Sequence, residues 1–501
     1  MKYNSIEYIP KIEPESLEVL SLIYTPGVGH ACMKIKDDVN NSFLYTNRSN
    51  SIAVLSFDYE QSLKRAIFLK DTLNIDAYPL EMQNDNADIL KLVVENISPN
   101  FCGVDLRLIA HEIEEIRFDV DIPVLINQSV NIKEFFNPVS KNILMFKLNM
   151  LKGDFKEQSL SLRERAGGVI ETELSQVPQK KPVAIVSDGS AVLGFGNIGP
   201  EAGLPVMEGK AVIFKSLGSV NAIPLCLKTQ KPEEIIKIVQ ALKNSFSGIN
   251  LEDISAPRCF DIEKELIETL DIPVFHDDQH GTAIVVLAAL LNALKVAGKN
   301  SDKVKIVISG AGAAAQAVSK LLLTAGAKDI IHTNKKGIVH KDPNNEVHLQ
   351  ELAQITNKQN LEGTLEDALE GADIFIGLSA PEILKKEWLN VMAKKPIIFA
   401  LANPIPEIMP DEAKEAGAFI VATGRSDFDN QINNSLAFPG LFRGILDNNI
   451  NKITNEIKFE CANAIASLIK EKDLSPINIL PNALDVKVVE AIRKKLEKFK
   501  K

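Results

Sequence analysis

Short apolar runs alternate with amphipathic stretches of helical period along most of the chain. The runs Val183–Val186, Val304–Ile308, Asp329–Thr333, Asp373–Gly377, Ile397–Leu401 and Phe419–Ala422 read as buried strands. Spacing at i, i+3 and i+4 predicts helices at Ala87–Ile97, Ile109–Phe118, Pro232–Asn244 and Ile262–Leu270, and closing helices within Lys452–Lys470 and Val486–Lys501. Strands separated by helices argue a parallel sheet covered on both faces. The longest apolar run, Ala283–Leu294, stops short of the roughly 20 residues that a membrane span needs, so no span is predicted.

The same pattern contains a repeat. Ala66–Lys70, Ala77–Leu80 and Phe101–Val104 recur as Ala211–Lys215, Ala222–Leu225 and Phe246–Ile249, each 145 positions later (211 against 66, 222 against 77, 246 against 101). Asp121–Val124 recurs as Asp271–Val274 after 150 positions, so one small gap separates the copies. An α/β unit is therefore expected twice. Residues 131 to 180 are mixed and end in a polar connector, Gln176–Lys181.

Composition narrows the function. A chain of 501 residues, 45% hydrophobic and 24% charged, exceeds one ordinary core and is neither disordered nor a rod. The net charge of −10 disfavours nucleic acid and anionic membranes as partners. Met1–Glu13 lacks the apolar centre of a secretory signal, and five scattered cysteines without C-x-x-C spacing fit neither a disulfide framework nor a zinc site. A cytoplasmic protein acting on a small molecule is expected.

Two glycine patterns compete. Gly310-Ala311-Gly312-Ala313-Ala314-Ala315 follows a strand and opens a predicted helix, Ala315–Thr324. Gly310 permits the tight turn, Gly312 lets backbone approach a pyrophosphate, and Ala315 lets helix and strand pack closely. Gly194–Gly199 also fits G-x-G-x-x-G, but Pro200 and Pro205 are expected to prevent the long helix that a dinucleotide site requires, so it reads as a loop. After the second strand, Asn334-Lys335-Lys336 stands where an acid would grip the ribose hydroxyls, which leaves both NAD and NADP open as cofactors.

Acids gather at Glu252-Asp253 and at His276-Asp277-Asp278-Gln279-His280. Hard oxygen donors suit Mg²⁺ or Mn²⁺. The i, i+4 spacing of His276 and His280 would suit zinc, but Asp277 and Gly281 point to a loop there. Single members of this set would ordinarily read as helix caps or surface ion pairs. The repeat weighs against that: the earlier copy has Arg107 and Leu108 in place of Glu252 and Asp253, Asn127 and Gln128 in place of Asp277 and Asp278, and Arg65 in place of Lys210. The apolar frame persists without the acids, so the acids are chemical rather than structural.

These stretches resemble the small-subunit bacterial malic enzymes, which oxidatively decarboxylate malate to pyruvate. The likeness rests on YTPGV at Tyr24–Val28, Val186–Lys215, INLEDISAPRCF at Ile249–Phe260 and IPVFHDDQHGTA at Ile272–Ala283. It continues through SGAGAAA at Ser309–Ala315, FIGLSAP at Phe375–Pro381, FALANPIPEIMP at Phe399–Pro410, TGRSDFDNQINN at Thr423–Asn434 and LSPINILP at Leu474–Pro481. The resemblance implies Lys210 as general base, Tyr24 as the acid that protonates carbon, and Asp277 as the carboxylate that tunes the lysine. It implies Glu252, Asp253 and Asp278 as metal ligands, Asn403 and Asn434 orienting malate and nicotinamide, and Thr282 near the ring. Residues 51 to 180 look like an inserted, degenerate copy of the substrate-side unit.

The expected protein is α/β, with a Rossmann-type doubly wound parallel sheet plus a second α/β substrate domain. Its expected divisions are an N-terminal segment to 50, the degenerate repeat at 51–180, a substrate and metal domain at 181–290, a cofactor domain at 291–445 and closing helices at 446–501. A homodimer is expected. A malolactic enzyme releasing lactate and a non-catalytic regulatory relative are the alternatives.

Overall fold

A computed structural model of the chain describes residues 3–24, 27–83, 86–107, 116–126, 160, 163–164, 167–176, 179–192 and 194–500. It divides into two compact units, Met1–Phe275 and His276–Lys501.

The first unit opens with β1 (Ser5–Pro10), α1 (Leu17–Ile23), α2 (Val28–Asp37) and α3 (Ser42–Tyr45). There follow β2 (Ser51–Ser56), α4 (Tyr59–Leu73), β3 (Asp76–Glu81), α5 (Ala87–Ile97), β4 (Gly103–Arg107), β5 (Val124–Ile126) and β6 (Ile170–Ser175). The unit continues with β7 (Val183–Ser187), α6 (Pro200–Gly218), β8 (Ala222–Cys226), α7 (Pro232–Leu242), β9 (Gly248–Leu251), α8 (Arg258–Thr269) and β10 (Val274–His276), whose last residue opens the second unit. β1 and β6 form an antiparallel ribbon.

Two four-stranded sheets share one design. Their orders are β3-β2-β4-β5 and β8-β7-β9-β10, each with the first strand inside and the second at an edge. β2 pairs in parallel with β3 and β4, as β7 does with β8 and β9. The register agrees as well: Ile52 faces Ala77 and Gly103, and Val183 faces Ala222 and Gly248. The inner strands stand 131 positions apart (183 against 52) and their neighbours 145 (222 against 77), so the second sheet has 14 extra residues after its first strand. Both inner strands are wholly buried, as expected of strands covered on both faces.

Those extra residues include the loop Asp188–Gly199, in which Gly194, Gly196 and Gly199 take φ of +79°, +66° and +81°. The helix after it corrects the sequence reading, since α6 runs for 19 residues despite Pro200 and Pro205. Pro200 occupies the first helical position, where no N–H is needed. Pro205 forfeits a single bond near the helix start.

The second unit runs α9 (Asp277–Ala297), β11 (Lys305–Ser309), α10 (Ala313–Thr324), β12 (Asp329–Asn334), β13 (Gly337–Ile338), α11 (Val347–Ile355) and α12 (Leu365–Leu369). It continues with β14 (Ile374–Gly377), β15 (Ile397–Ala400), α13 (Pro410–Glu415), β16 (Ile420–Thr423), α14 (Phe438–Asp447), α15 (Asn455–Ala466) and α16 (Lys487–Leu496). Its sheet has the order β13-β12-β11-β14-β15-β16, parallel except for β13. The chain steps outward in opposite directions on either side of β11, which makes the end of β11 a topological switch point. α9 corrects one expectation, since it begins at Asp277, where a loop was expected. Its 21 residues are long and apolar enough by composition to cross a membrane. Its apolar window is 72% buried, and it packs on α10 and α15 as a core helix. Of the other expected elements, most of Ile109–Phe118 and residues 131–159 lie outside the described residues.

Candidate active site

Lys210 sits on α6, fully buried, and its Nζ donates to Glu252 Oε1 at 2.5 Å. Glu252 directly follows β9, and its Oε2 accepts from Asn250 Nδ2 at 3.0 Å. Tyr24, the C-cap of α1, is buried against the same part of α6. A Cβ at Gly209 would lie 2.6 Å from the Ile23 carbonyl and 3.0 Å from Tyr24 Cδ2, so only glycine allows this approach beside Lys210. Thr25 and Pro26 lie outside the described residues.

Two residues that the sequence reading did not single out hold this junction. Arg163 is fully buried and donates to the carbonyls of Ile23 at 2.5 Å and Pro205 at 2.9 Å. It also faces Glu208, whose Oε1 accepts from the Asn47 amide. Burial pushes the Glu208 carboxyl up, while Arg163 pulls it back. Arg163 acts mainly through backbone carbonyls, which leave no mark in a sequence; Glu208 lies inside the MEGK stretch.

Asp253 takes φ +53°, a left-handed conformation costly for a residue with a Cβ and often found at functional sites. The 188–199 loop braces it: Ala191 N donates to the Asp253 carbonyl at 2.9 Å. Ser190 Oγ accepts from Ser255 N at 2.9 Å. Asp188, paired with Arg258 at 2.7 Å, anchors the loop start; burial raises its carboxyl, opposed by Ser190 and Arg258. Asp278 stands two residues beyond the end of β10, the strand beside β9. Glu252 and Asp253 stand side by side just after β9, and Asp278 lies in the first turn of α9; carboxylate oxygens of this kind suit a hard cation. The His276–His280 zinc alternative gains nothing, since the buried His276 ring contacts Asp278 Oδ2 at 3.1 Å and Gln279 Nε2 at 2.5 Å.

At the start of α9, Asn434 Nδ2 donates to Asp277 Oδ2 at 2.6 Å. A Cβ at Gly281 would come within 1.9 Å of Asp277 Oδ1 and 3.2 Å of Asn434 Cβ, which explains why a glycine is tolerated inside this helix. Thr282 is half-buried next to it. Asn403 lies against Gly424, where a Cβ would stand 2.6 Å from its Nδ2.

The glycine loop joins β11 to α10, which begins at Ala313, two residues before the expected start. Gly310 takes φ +123°, and a Cβ there would meet the Leu378 carbonyl at 2.5 Å. A Cβ at Gly312, by contrast, would project into open space, and no side chain caps the helix, so its first N–H groups remain available to a phosphate. His332 ties the loop to its neighbours. Its Nδ1 contacts the Gly310 carbonyl at 2.8 Å and its Nε2 contacts Ser319 Oγ, and burial pushes its pKa down to about 4, which keeps the ring neutral. Glu407, also not singled out from sequence, joins two strand-end loops by accepting from Ser379 N at 3.1 Å and Ala402 N at 3.0 Å. Asn334 ends β12 and accepts from Lys336 N at 2.8 Å, with Lys335 and Lys336 exposed.

A glycine turn at the switch point of a parallel sheet, opening an uncapped helix, defines a Rossmann-type α/β protein of the dinucleotide-binding class. Comparison with known proteins narrows the class. A model described as the malic enzyme N-terminal domain matches residues 148–267, and one described as the malic enzyme NAD binding domain matches residues 279–495. The NAD-dependent malic enzyme of Geobacillus stearothermophilus is 55% identical over 316 residues, covering 63% of this chain and 66% of that protein, just under two thirds of its length. The bifunctional malic/malolactic enzyme of Bacillus subtilis (strain 168) is 52% identical over 319 residues, covering 63% of this chain and 78% of that protein. The crystal structure of the NAD-dependent malic enzyme of Thermotoga maritima superposes with a TM-score of 0.61 at 51% identity, over 63% of this chain and 84% of that one. The chain belongs to the malic enzyme family, decarboxylating oxidoreductases that act on malate with NAD or NADP.

Proposed function

We propose that this chain oxidises malate and releases pyruvate and CO₂, with Lys210, Tyr24 and the Glu252–Asp253–Asp278 cluster as its working residues. The observation that carries the reading is the buried Lys210–Glu252 pair at the end of β9, with Asp253 held next to it in a left-handed conformation. Glu252, Asp253 and Asp278 would hold Mg²⁺ or Mn²⁺, which supplies Lewis acidity toward the substrate oxygen and offsets the charge of a dianionic acid. Gly310, Ala311, Gly312, Ala313, Ala314 and Ala315 would cradle the pyrophosphate of NAD or NADP, the acceptor of the hydride from malate C2.

The chain's own groups then move protons. Lys210 takes the malate hydroxyl proton, and its amine must be neutral to do so. A cation that drew the Glu252 oxygen to itself would remove the anion that favours the ammonium form. The C3–C4 bond breaks as CO₂ departs, and Tyr24 returns a proton to C3. Asp277, whose carboxylate accepts from Asn434, would tune the lysine. Asn434 and Asn403 would orient the acid and the nicotinamide, and Thr282 would serve the ring's surroundings. Asn334, with no acid in its place, leaves room for either cofactor. Five cysteines, none in a disulfide, suit a reducing cytoplasm.

Replacing Lys210 or Asp278 by alanine should abolish malate-dependent NAD(P)H formation while circular dichroism stays that of the native protein. Retained activity in either variant contradicts the roles. The Bacillus relative's malolactic name motivates a second reading, separated by assaying lactate against pyruvate as product.

A further inference from the structure

The two four-stranded sheets of the first unit do more than share a design; they bond to each other with two-fold symmetry. Asn100, in the turn after α5, donates from Nδ2 to the Cys226 carbonyl at 2.8 Å and accepts at Oδ1 from the Cys226 amide at 2.8 Å. Ser245, in the turn after α7, accepts from the Glu81 amide at 2.7 Å and donates to the Glu81 carbonyl at 3.4 Å. Adding 145 to 100 gives 245, and adding 145 to 81 gives 226. One side chain thus clamps both backbone groups at the end of the opposite edge strand, twice over. A second pair obeys the same rule: Lys228 N donates to the Asn96 carbonyl at 3.2 Å, and Gln83 N donates to the Ala241 carbonyl at 2.9 Å. Here 83 maps to 228 and 96 to 241. α5 and α7 pack on one another between these clamps.

Reciprocal contacts of this kind, in which site i meets j and the counterpart of j meets the counterpart of i, are the signature of a two-fold interface between like subunits. Here both halves lie in one chain. We infer that the face formed by Cys226–Lys228, Ala241 and Ser245 is a self-pairing surface whose natural partner is another α/β unit of its own kind, and that residues 51–126 fill that position in cis. The face is therefore closed within each chain, and two chains do not join through it. A homodimer of this protein uses another surface.

The wild-type chain permits a direct test. Isotopically light and heavy preparations are mixed, incubated and treated with a short lysine cross-linker, and links between Lys91 on α5 and Lys237 on α7 are read by mass spectrometry. The inference predicts light–light and heavy–heavy links at every protein concentration. Mixed light–heavy links overturn it, because they place the partner unit on a second chain. A second measurement uses Gln83→Cys with Ala241→Cys, on a Cys102→Ser background, joined by a short bis-maleimide. The product expected on a denaturing gel is a cross-linked monomer, and a dimer-sized product or no cross-link contradicts the pairing.

Discussion

The sheets built on β2 and on β7 have the same strand order and register, yet their strand ends carry opposite chemistry. Beside β9, one cation, Lys210, meets Glu252, with Asn250 as a neutral brace. At the matching positions beside β4, two cations, Arg65 and Arg107, close on the fully buried Asp105 at 2.8 and 2.9 Å. Position 250 against 105 exchanges amide for carboxylate, and 252 against 107 exchanges carboxylate for guanidinium. The frame folds with either set, so Glu252 and Lys210 are not what holds such a unit together. The second sheet also owns the 188–199 loop that braces Asp253, and the first has only two residues between β2 and α4. One strand-end cluster is an ionic clasp of two guanidiniums on one carboxylate, and the other gathers carboxylates around a single amine.

Exchanging residues between the two clusters tests this contrast. The largest effect is expected from Lys210→Arg, which installs the residue found at position 65. A guanidinium does not give up its proton, so malate turnover should fall by about 10³-fold or more, read as initial rates of NAD(P)H formation. Next comes Asp105→Asn in the first sheet, which leaves two arginines without their shared anion. Stability should drop by about 1–3 kcal/mol in urea unfolding, with kcat unchanged. A lost kcat would show that the first sheet takes part in the chemistry. Last comes Asn250→Asp, which imitates Asp105 beside Glu252. The added anion favours the ammonium form of Lys210, so a roughly tenfold lower rate should follow, with stability lowered by about 1–3 kcal/mol because the buried donor to Glu252 is lost.

Much of this was legible in the chain because period and spacing are local. Ala87–Ile97 is a helix over the residues that its periodicity predicts, and the five expected strands of the second unit fall within a residue or so of their apolar runs. The repeat was visible as matched apolar runs, but its first strand was not: Ser51–Ser56 and Val183–Ser187 stand 131 apart, off the 145 spacing, because of the inserted loop. Helix starts misled where a breaker residue had a compensating context. Pro200 sits where its missing N–H is harmless, and Gly281 sits where only a hydrogen fits against Asp277. Lys210 and Glu252 stood out separately, from stretches 42 positions apart, and nothing local could announce their contact. Arg163 and Glu407 were illegible for a related reason: each holds loops together through backbone groups, which every residue possesses.

Counting bound Mn²⁺ by electron paramagnetic resonance bears most directly on the central claim. Titration of the 501-residue chain should reach one ion per chain, lost in Asp253→Ala and Asp278→Ala and untouched by Asp105→Asn. No bound ion, two ions per chain, or one ion that survives in the Asp253 and Asp278 variants would contradict the account.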